Sequence, residues 1–324
     1  MLGGGSWGTA FARLLVGAGH ETTLVCRDAG QAEAIRLRHR NPRYLFDVEL
    51  PDELGATTLE DAGLEAADLV AVAVPSRAFV DTVAQLEGRL SPSVALMSLT
   101  KGLDPATGRR LSDVLVELAD PARVAVLSGP NHAEEVVRDV PTASVIASAE
   151  MELAHRLQCA ISTSTLRIYA STDVVGVELC AAAKNVMGIA AGVSDGLGFG
   201  DNAKAAIITR GMAEMFRLGA AFGARERTFM GLAGMGDLVA TCTSRHSRNR
   251  RAGELLARGV PSDWVEGEIG QVAEGLTTAP TLRDLAASHG LELPITGGVC
   301  DLAFGGKTAR EVLAELMARE PTEE

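Results

Sequence analysis

The first half of the chain alternates between two hydrophobic periods. An apolar helical pattern over residues 9–18 follows a glycine-rich start, and a β-type run over 21–26 follows it. A charged helical stretch spans 31–40. The run 67–75 is short, β-branched and closed by proline, which predicts a parallel strand buried on both faces. A helix over 77–88 precedes an apolar run over 93–99, and a helix over 108–118 precedes another over 123–127. Two further strand-like runs, 142–147 and 166–170, flank a helix over 151–160. Strands alternating with helices imply βαβ units around a parallel sheet.

The alternation stops near Thr172, and helical patterns dominate from there. Asp201 is the expected N-cap of a helix carrying Ala205, Ile208, Met212 and Met215 on one face. Thr308 to Glu311 reads as a capping box, opening a helix with Ala309, Val312, Leu313, Leu316 and Met317 on its apolar face. The expected fold class is therefore α/β, with a parallel sheet and its helices over 1–178 and an all-α domain over 179–324.

Composition narrows the picture. The 324 residues suffice for two domains of about 150 residues each. A hydrophobic share of 47% excludes wholesale disorder, and aromatics at 4% leave Ala, Val, Leu, Ile and Met to build the core. With 42 acidic and 30 basic residues the net charge is −12, which argues against nucleic-acid binding. No run approaches the ~18–20 apolar residues of a membrane span, and the start lacks the pattern of a secretory signal. Five scattered cysteines without a C-x-x-C pair fit a reducing cytoplasm and argue against disulfides or a thiolate metal site. No metal is expected.

Gly3-Gly4-Gly5-Ser6-Trp7-Gly8 fits G-x-G-x-x-G, the turn that receives a dinucleotide's pyrophosphate at a helix N-terminus. Gly3 would allow the turn, Gly5 the approach of the pyrophosphate and Gly8 close helix packing. The bland alternative is a flexible N-terminal arm. The fingerprint should follow a strand, and only Met1 and Leu2 precede it. Either the strand is a stub or the start is truncated or misassigned, and the second is favoured. After the second strand comes Cys26-Arg27-Asp28. Arg27 suits the 2′-phosphate of NADP, whereas Asp28 holding a ribose would suit NAD. NADP is favoured.

Lys184 has Cys180, Ala181, Met187 and Gly188 three and four residues away, none able to neutralise an ammonium. It either snorkels to water or serves proton transfer beside distant charges. Asp237 sits among glycines and apolar residues, as a buried partner for a cation or as a helix N-cap. The stretch 245–251 is a basic island in an acidic chain, readable as an anion clamp or as a solvated helix start. A second island, 36–43, lacks comparable polar partners and reads as surface, with a place near the cofactor's adenosine end as the functional alternative.

Taken together, Gly3 to Ala10, Leu99 to Gly102, Ser128-Gly129-Pro130, Ala183 to Val186, Gly196 to Asn202, Gly234 to Leu238 and Ser247 to Arg250 resemble the bacterial NAD(P)-dependent glycerol-3-phosphate dehydrogenases. The resemblance runs through nearly the whole chain in the family's order. It implies an N-terminal Rossmann-type doubly wound sheet followed by an all-α substrate domain, and reduction of dihydroxyacetone phosphate to sn-glycerol 3-phosphate for glycerophospholipid synthesis. By position it implies Lys184 as the acid/base. It implies Lys101, Gly129, Asn131, Asp237, Ser247, Arg248 and Asn249, with Lys184, as contacts to a small phosphorylated substrate. Around NADP or NAD it implies Gly3, Gly5, Ser6, Trp7, Gly8, Arg27, Lys101, Ala133, Arg248, Val272 and Glu274.

One segment departs from the pattern. Asn131-His132 stands where the family more often has a small hydroxyl residue and an aromatic. His132 is read as filler, not as a base. Two competing readings keep parts of the fold. Ketopantoate reductases and 3-hydroxyacid dehydrogenases share the architecture and a lysine but have no need of the basic island. A nicotinamide-binding sensor would need neither Lys184 nor Asp237. A homodimer buried through the Ala- and Met-rich half is an open expectation.

Overall fold

The computed structural model describes residues 1–320. It separates into two compact units, Met1–Asp104 with Arg109–Glu178, and Pro105–Gly108 with Leu179–Glu324.

The first unit is a twisted sheet flanked by helices. Helix α1 (Ser6–Gly17) leads to β1 (Thr23–Cys26), then α2 (Ala29–Arg38) and β2 (Gly55–Thr58). Strand β3 (Leu69–Val72), α3 (Phe79–Ala84), β4 (Ala95–Ser98), α4 (Leu111–Leu115) and β5 (Val124–Ser128) continue the alternation. The unit closes with α5 (Ala133–Val136), β6 (Thr142–Ser148), α6 (Met151–Ile161) and β7 (Leu166–Ser171). One sheet has the order β1-β2 and the other β3-β4-β5-β6-β7. Leu2 joins them by parallel bridges to Val25 of β1 and Val72 of β3. The central position that seemed vacant in the sequence is thus held by two residues. Leu2 is only 2% exposed, donates to the Ala71 carbonyl and accepts from Ala73 N–H, both at 2.8 Å.

The sheet departs from the parallel expectation at one seam, where β6 runs antiparallel to β5 and β7 runs parallel to β6. The connection after β5 contains only the four-residue α5. The chain turns there, and β6 pairs with β5 in the opposite direction. Strand β2 went unread because its sequence, GATT, buries only Ala56. The sheet's faces pack Phe11, Met97, Leu127 and Ile168 on one side and Val72, Phe79, Leu96 and Leu115 on the other.

The second unit is helical. It is built from the larger part of α7 (Val174–Gly196), then α8 (Asp201–Ala221), α9 (Glu226–Phe229), α10 (Asp237–Thr243) and α11 (Arg248–Ala257). The helices α12 (Ser262–Ile269), α13 (Glu274–Ser288), α14 (Pro294–Phe304) and α15 (Ala309–Met317) complete it. Helix α7 has the length and mean hydropathy, 1.5, of a membrane span, contrary to the sequence expectation. Its apolar window is 83% buried within the protein, which accounts for the apolarity as core packing. Helices α7 and α11 cross where neither can carry a side chain. A Cβ on Gly192 would stand 1.8 Å from the Arg250 carbonyl oxygen, and one on Gly253 would stand 2.0 Å from that of Ile189.

Two helix details correct the reading. Gly200, not Asp201, is the N-cap of α8, and Ala205 is exposed while Met212 and Met215 are buried. The capping box of Thr308 and Glu311 forms as expected, with Ala309 and Val312 buried but Met317 exposed.

Candidate active site

The glycine-rich turn connects Leu2 to α1. Gly3 has φ +109°, and a Cβ there would meet the Ala73 carbonyl oxygen at 2.4 Å. A Cβ on Gly8 would stand 1.9 Å from the Gly3 carbonyl oxygen, so the helix is seated directly on the turn. At Gly5, the N-cap of α1, a Cβ would meet nothing within 4 Å. That is the division of labour a pyrophosphate turn needs: two glycines for packing and one leaving open room at a helix N-terminus. Ser6 is buried in the first helical turn, and the Trp7 indole Nε1 is buried without a hydrogen-bond partner among the described residues. The open room and the orphaned donor fit a nicotinamide dinucleotide.

Arg27 is exposed just beyond β1. Asp28 is occupied: it caps α2 by accepting Gln31 N–H at 2.7 Å and pairs with Arg43 at 3.3 Å. The island at 36–43 is therefore not devoid of partners, since Arg40 also meets Glu49 at 3.4 Å.

A second cluster of the same unit lies around the end of β5. Gly129 has φ +140°, and a Cβ would stand 2.9 Å from Ser144 Cα, so only glycine fits. Lys101 Nζ donates to the Gly129 carbonyl and to Asn131 Oδ1, each at 2.8 Å. Asn131 Nδ2 donates in turn to Ser144 Oγ at 3.0 Å. The structure thus brings Lys101, Gly129 and Asn131 together. Ala133 opens α5 and packs with Ala10 and Val137.

In the helical unit Lys184 does not snorkel. Its Nζ donates to Asp237 Oδ1 at 3.0 Å and to Thr241 Oγ1 at 2.8 Å. Lys184, Asp237 and Thr241 are all buried, at 5%, 2% and 1% exposure. Asp237 reaches this position through a π-helical turn, Leu232–Gly236, in which Gly236 N–H bonds the Gly231 carbonyl at 3.1 Å. Such turns occur often at functional sites. Asp237 begins α10, with Gly236 as the N-cap residue, and its carboxylate receives the lysine. Thr241 escaped the sequence reading, although it lies one turn after Asp237 on the same face. The surroundings are dry: burial pushes the neighbouring Cys242 thiol up to about 12.

The basic island divides by function. Ser247 caps α11, accepting Arg250 N–H at 3.2 Å. Arg250 Nε pairs with Asp195 at 2.5 Å and its Nη2 with Glu254 at 2.8 Å, while Lys204 holds the other Asp195 oxygen at 2.9 Å. Arg250 thus ties α11 to α7 through Asp195. Asn249 is buried, donating to Asn185 Oδ1 at 2.9 Å and accepting Gly275 N–H at 2.8 Å, next to Glu274 at the start of α13. Val272 lies two residues before that helix start. Arg248 is exposed and makes no hydrogen bond or ion pair among the described residues, so its guanidinium is available.

The expected site residues fall into two sets, one in each unit. In the first, the glycine-rich turn and the Lys101–Gly129–Asn131 cluster form as separate constellations. In the second, Lys184 and Asp237 join, and Asn249 meets the start of α13.

Known proteins match both units. The family model for the N-terminus of NAD-dependent glycerol-3-phosphate dehydrogenase matches residues 1–154, and that for its C-terminus matches 173–314. A glycerol-3-phosphate dehydrogenase [NAD(P)+] from Parafrankia is 47% identical, over 99% of this chain and 97% of the relative. Its counterpart from Chlorobium limicola is 44% identical, over 100% of this chain and 98% of the relative. The crystal structure of glycerol-3-phosphate dehydrogenase from Coxiella burnetii superimposes with a TM-score of 0.94 at 37% identity, covering 98% of each chain. A ketopantoate reductase from Ralstonia eutropha, at 17% identity and a TM-score of 0.62, shares the fold alone. This chain belongs to the NAD-dependent glycerol-3-phosphate dehydrogenase family.

Proposed function

We propose that the protein reduces dihydroxyacetone phosphate to sn-glycerol 3-phosphate with NADPH or NADH, supplying glycerophospholipid synthesis. The observation that carries this reading is the buried Lys184–Asp237–Thr241 cluster in a chain of this family. When bound, the reduced nicotinamide supplies the hydride that the substrate's C2 accepts. Lys184 Nζ gives a proton to the C2 oxygen as negative charge builds there, and an ammonium held out of water stabilises that charge strongly. Asp237 and Thr241 orient the amine through two of its donors, leaving the third for substrate. Lys101 and Asn131 are the polar contacts of the first unit, beside Gly129. Arg248 receives the phosphate, whose binding energy positions the reacting carbon.

The glycine-rich turn holds the pyrophosphate, with Ser6 and Trp7 beside it, Ala133, Val272 and Glu274 as further contacts, and Arg27 favouring NADP. Ser247 and Asn249 support Arg248 by fixing the first turn of α11. Five scattered cysteines without a C-x-x-C pair support a cytoplasmic location. A homodimer is the expected assembly, checked by light scattering.

The test is NADPH oxidation by the purified protein with dihydroxyacetone phosphate, beside ketopantoate and 3-keto acids. Turnover confined to the phosphorylated ketone supports the reading. Turnover with ketopantoate alone, or nucleotide binding without turnover, ends it.

A further inference from the structure

Asn41 follows α2 and is completely enclosed, at 0% exposure. Its Nδ2 donates to the Gly4 carbonyl at 3.0 Å and to Thr9 Oγ1 at 2.8 Å. Its Oδ1 accepts from Gln31 Nε2 at 3.0 Å and from the backbone N–H groups of Arg43 and Tyr44 at 3.1 and 3.2 Å. The amide has one orientation that works, because turning it over would aim its NH2 at two backbone N–H donors. Gln31, also buried, adds a second donor to the same Gly4 carbonyl at 2.6 Å.

Gly4 is the middle of the glycine-rich turn. Consecutive glycines have more conformational freedom than any other residues and no side chains with which to brace themselves. Here the bracing comes from outside the turn, from two amides that grip one carbonyl. A Cβ on Gly4 would meet Cys26 Sγ at 2.6 Å and Gln31 Nε2 at 3.1 Å, so that side of the turn is closed, while Gly5 stays open. The Asn41 oxygen also fixes the backbone that leads to Leu45 and Val48. Those two side chains pack, with Trp7, against Ala10, Ala133 and Val137. One buried amide thus joins the turn, α1, α2 and the segment beside Trp7.

The geometry points to Asn41, together with Gln31, as positioning residues that hold the glycine-rich turn in the shape that receives a dinucleotide's pyrophosphate. Neither amide touches the nucleotide in this role. A turn held rigid before binding loses less conformational freedom on binding, so the benefit appears in nucleotide affinity. The role rests on the turn's being the pyrophosphate site.

The experiment uses the full chain and four variants: Asn41→Asp, Asn41→Ala, Gln31→Met and Gly5→Val. Asn41→Asp keeps the acceptor for Arg43 and Tyr44 but removes both donors. Dissociation constants for NADPH and ADP are measured by calorimetry, with kcat, the KM for dihydroxyacetone phosphate and the melting temperature alongside. The Asn41 variants are expected to weaken NADPH and ADP in parallel by roughly tenfold, and Gln31→Met by several-fold. The effect falls on nucleotide affinity and not on the KM for the ketone. Parental affinities for NADPH and ADP in variants that merely melt lower overturn the role. Should the Asn41 variants fail to fold, Gln31→Met decides by the same criterion, since it removes one donor to the same carbonyl. Gly5→Val separates the two layers. If it leaves ADP binding unchanged, the turn is not the pyrophosphate site and the bracing role falls with it. If it blocks ADP while the amide variants bind normally, only the bracing role falls.

Discussion

Lys184 Nζ lies 3.0 Å from Asp237 Oδ1, with both side chains withdrawn from water. They sit 53 positions apart in the chain, on α7 and at the start of α10. A buried pair of this kind adds little net stability over an apolar replacement, but removing one member strands the other's charge.

Asp237→Ala should therefore lower stability by about 3 kcal/mol, because Lys184 is left enclosed without its counter-charge. Adding Lys184→Met should recover much of that loss, while activity stays down by orders of magnitude. Urea unfolding of the two single variants and the double variant measures the coupling. Simple addition of the two losses would contradict it.

Thr241 supplies the second anchor of the lysine amine. Thr241→Val preserves the shape but removes the acceptor oxygen. Turnover should fall about tenfold, with little change in melting temperature. Thr241→Ser restores the hydroxyl and should restore most of the rate. A valine variant with parental kcat would show that Asp237 alone positions the amine.

Arg248 and Arg250 sit two residues apart on α11 yet should respond oppositely. Arg248→Ala should raise the KM for dihydroxyacetone phosphate tenfold or more while leaving melting unchanged, since the side chain is exposed and unengaged among the described residues. Arg250→Ala breaks its pairs with Asp195 and Glu254 and should lower melting chiefly. Equal KM effects from both would return the island to a single anion clamp.

Glu178 provides a pH signature. It is buried on α7 and accepts Ser112 N–H at 2.9 Å and the Ser112 hydroxyl. Burial pushes its carboxyl from the ordinary 4.5 up to about 7, against the opposing pull of the Ser112 hydrogen bonds. Below pH 4.5 both the folded and unfolded chains carry this proton, and the stabilising difference is complete. Between 4.5 and about 7 the unfolded chain releases it first, so stability falls as pH rises, by about 3 kcal/mol in all. Glu178→Gln should flatten this part of the profile, matching the parent at pH 4.5 and exceeding it at pH 8. Denaturant unfolding across that range checks the sign. An unchanged slope would place the charge loss elsewhere.

The sequence was sufficient where the physics is local. Strand and helix periods located every strand of the first unit except β2, whose single buried side chain leaves no periodic signal. Capping chemistry placed the start of α15, because the Thr308–Glu311 exchange is closed within one turn. The spacing of Gly3, Gly5 and Gly8 was legible as a turn fingerprint because Gly8 is seated on the Gly3 carbonyl within the same turn and helix and Gly5 is left open, whereas the close approach of Gly3 to Ala73 comes from a distant segment.

Other questions depended on residues far apart in the chain. Local neighbours could not tell whether Lys184 was solvated or paired, because its carboxylate and hydroxyl partners arrive on another helix. The island at 245–251 read as one basic surface, yet Asp195 withdraws Arg250 from it and Asn185 engages Asn249. The direction of β6 is a property of its pairing with β5, and the period of residues 142–147 carries no signal of it. The sequence by itself determined the local conformations and the family to which they belong. Which charges are paired and which guanidinium stays available was decided only by packing, because burial and counter-charges come from segments that meet only after folding.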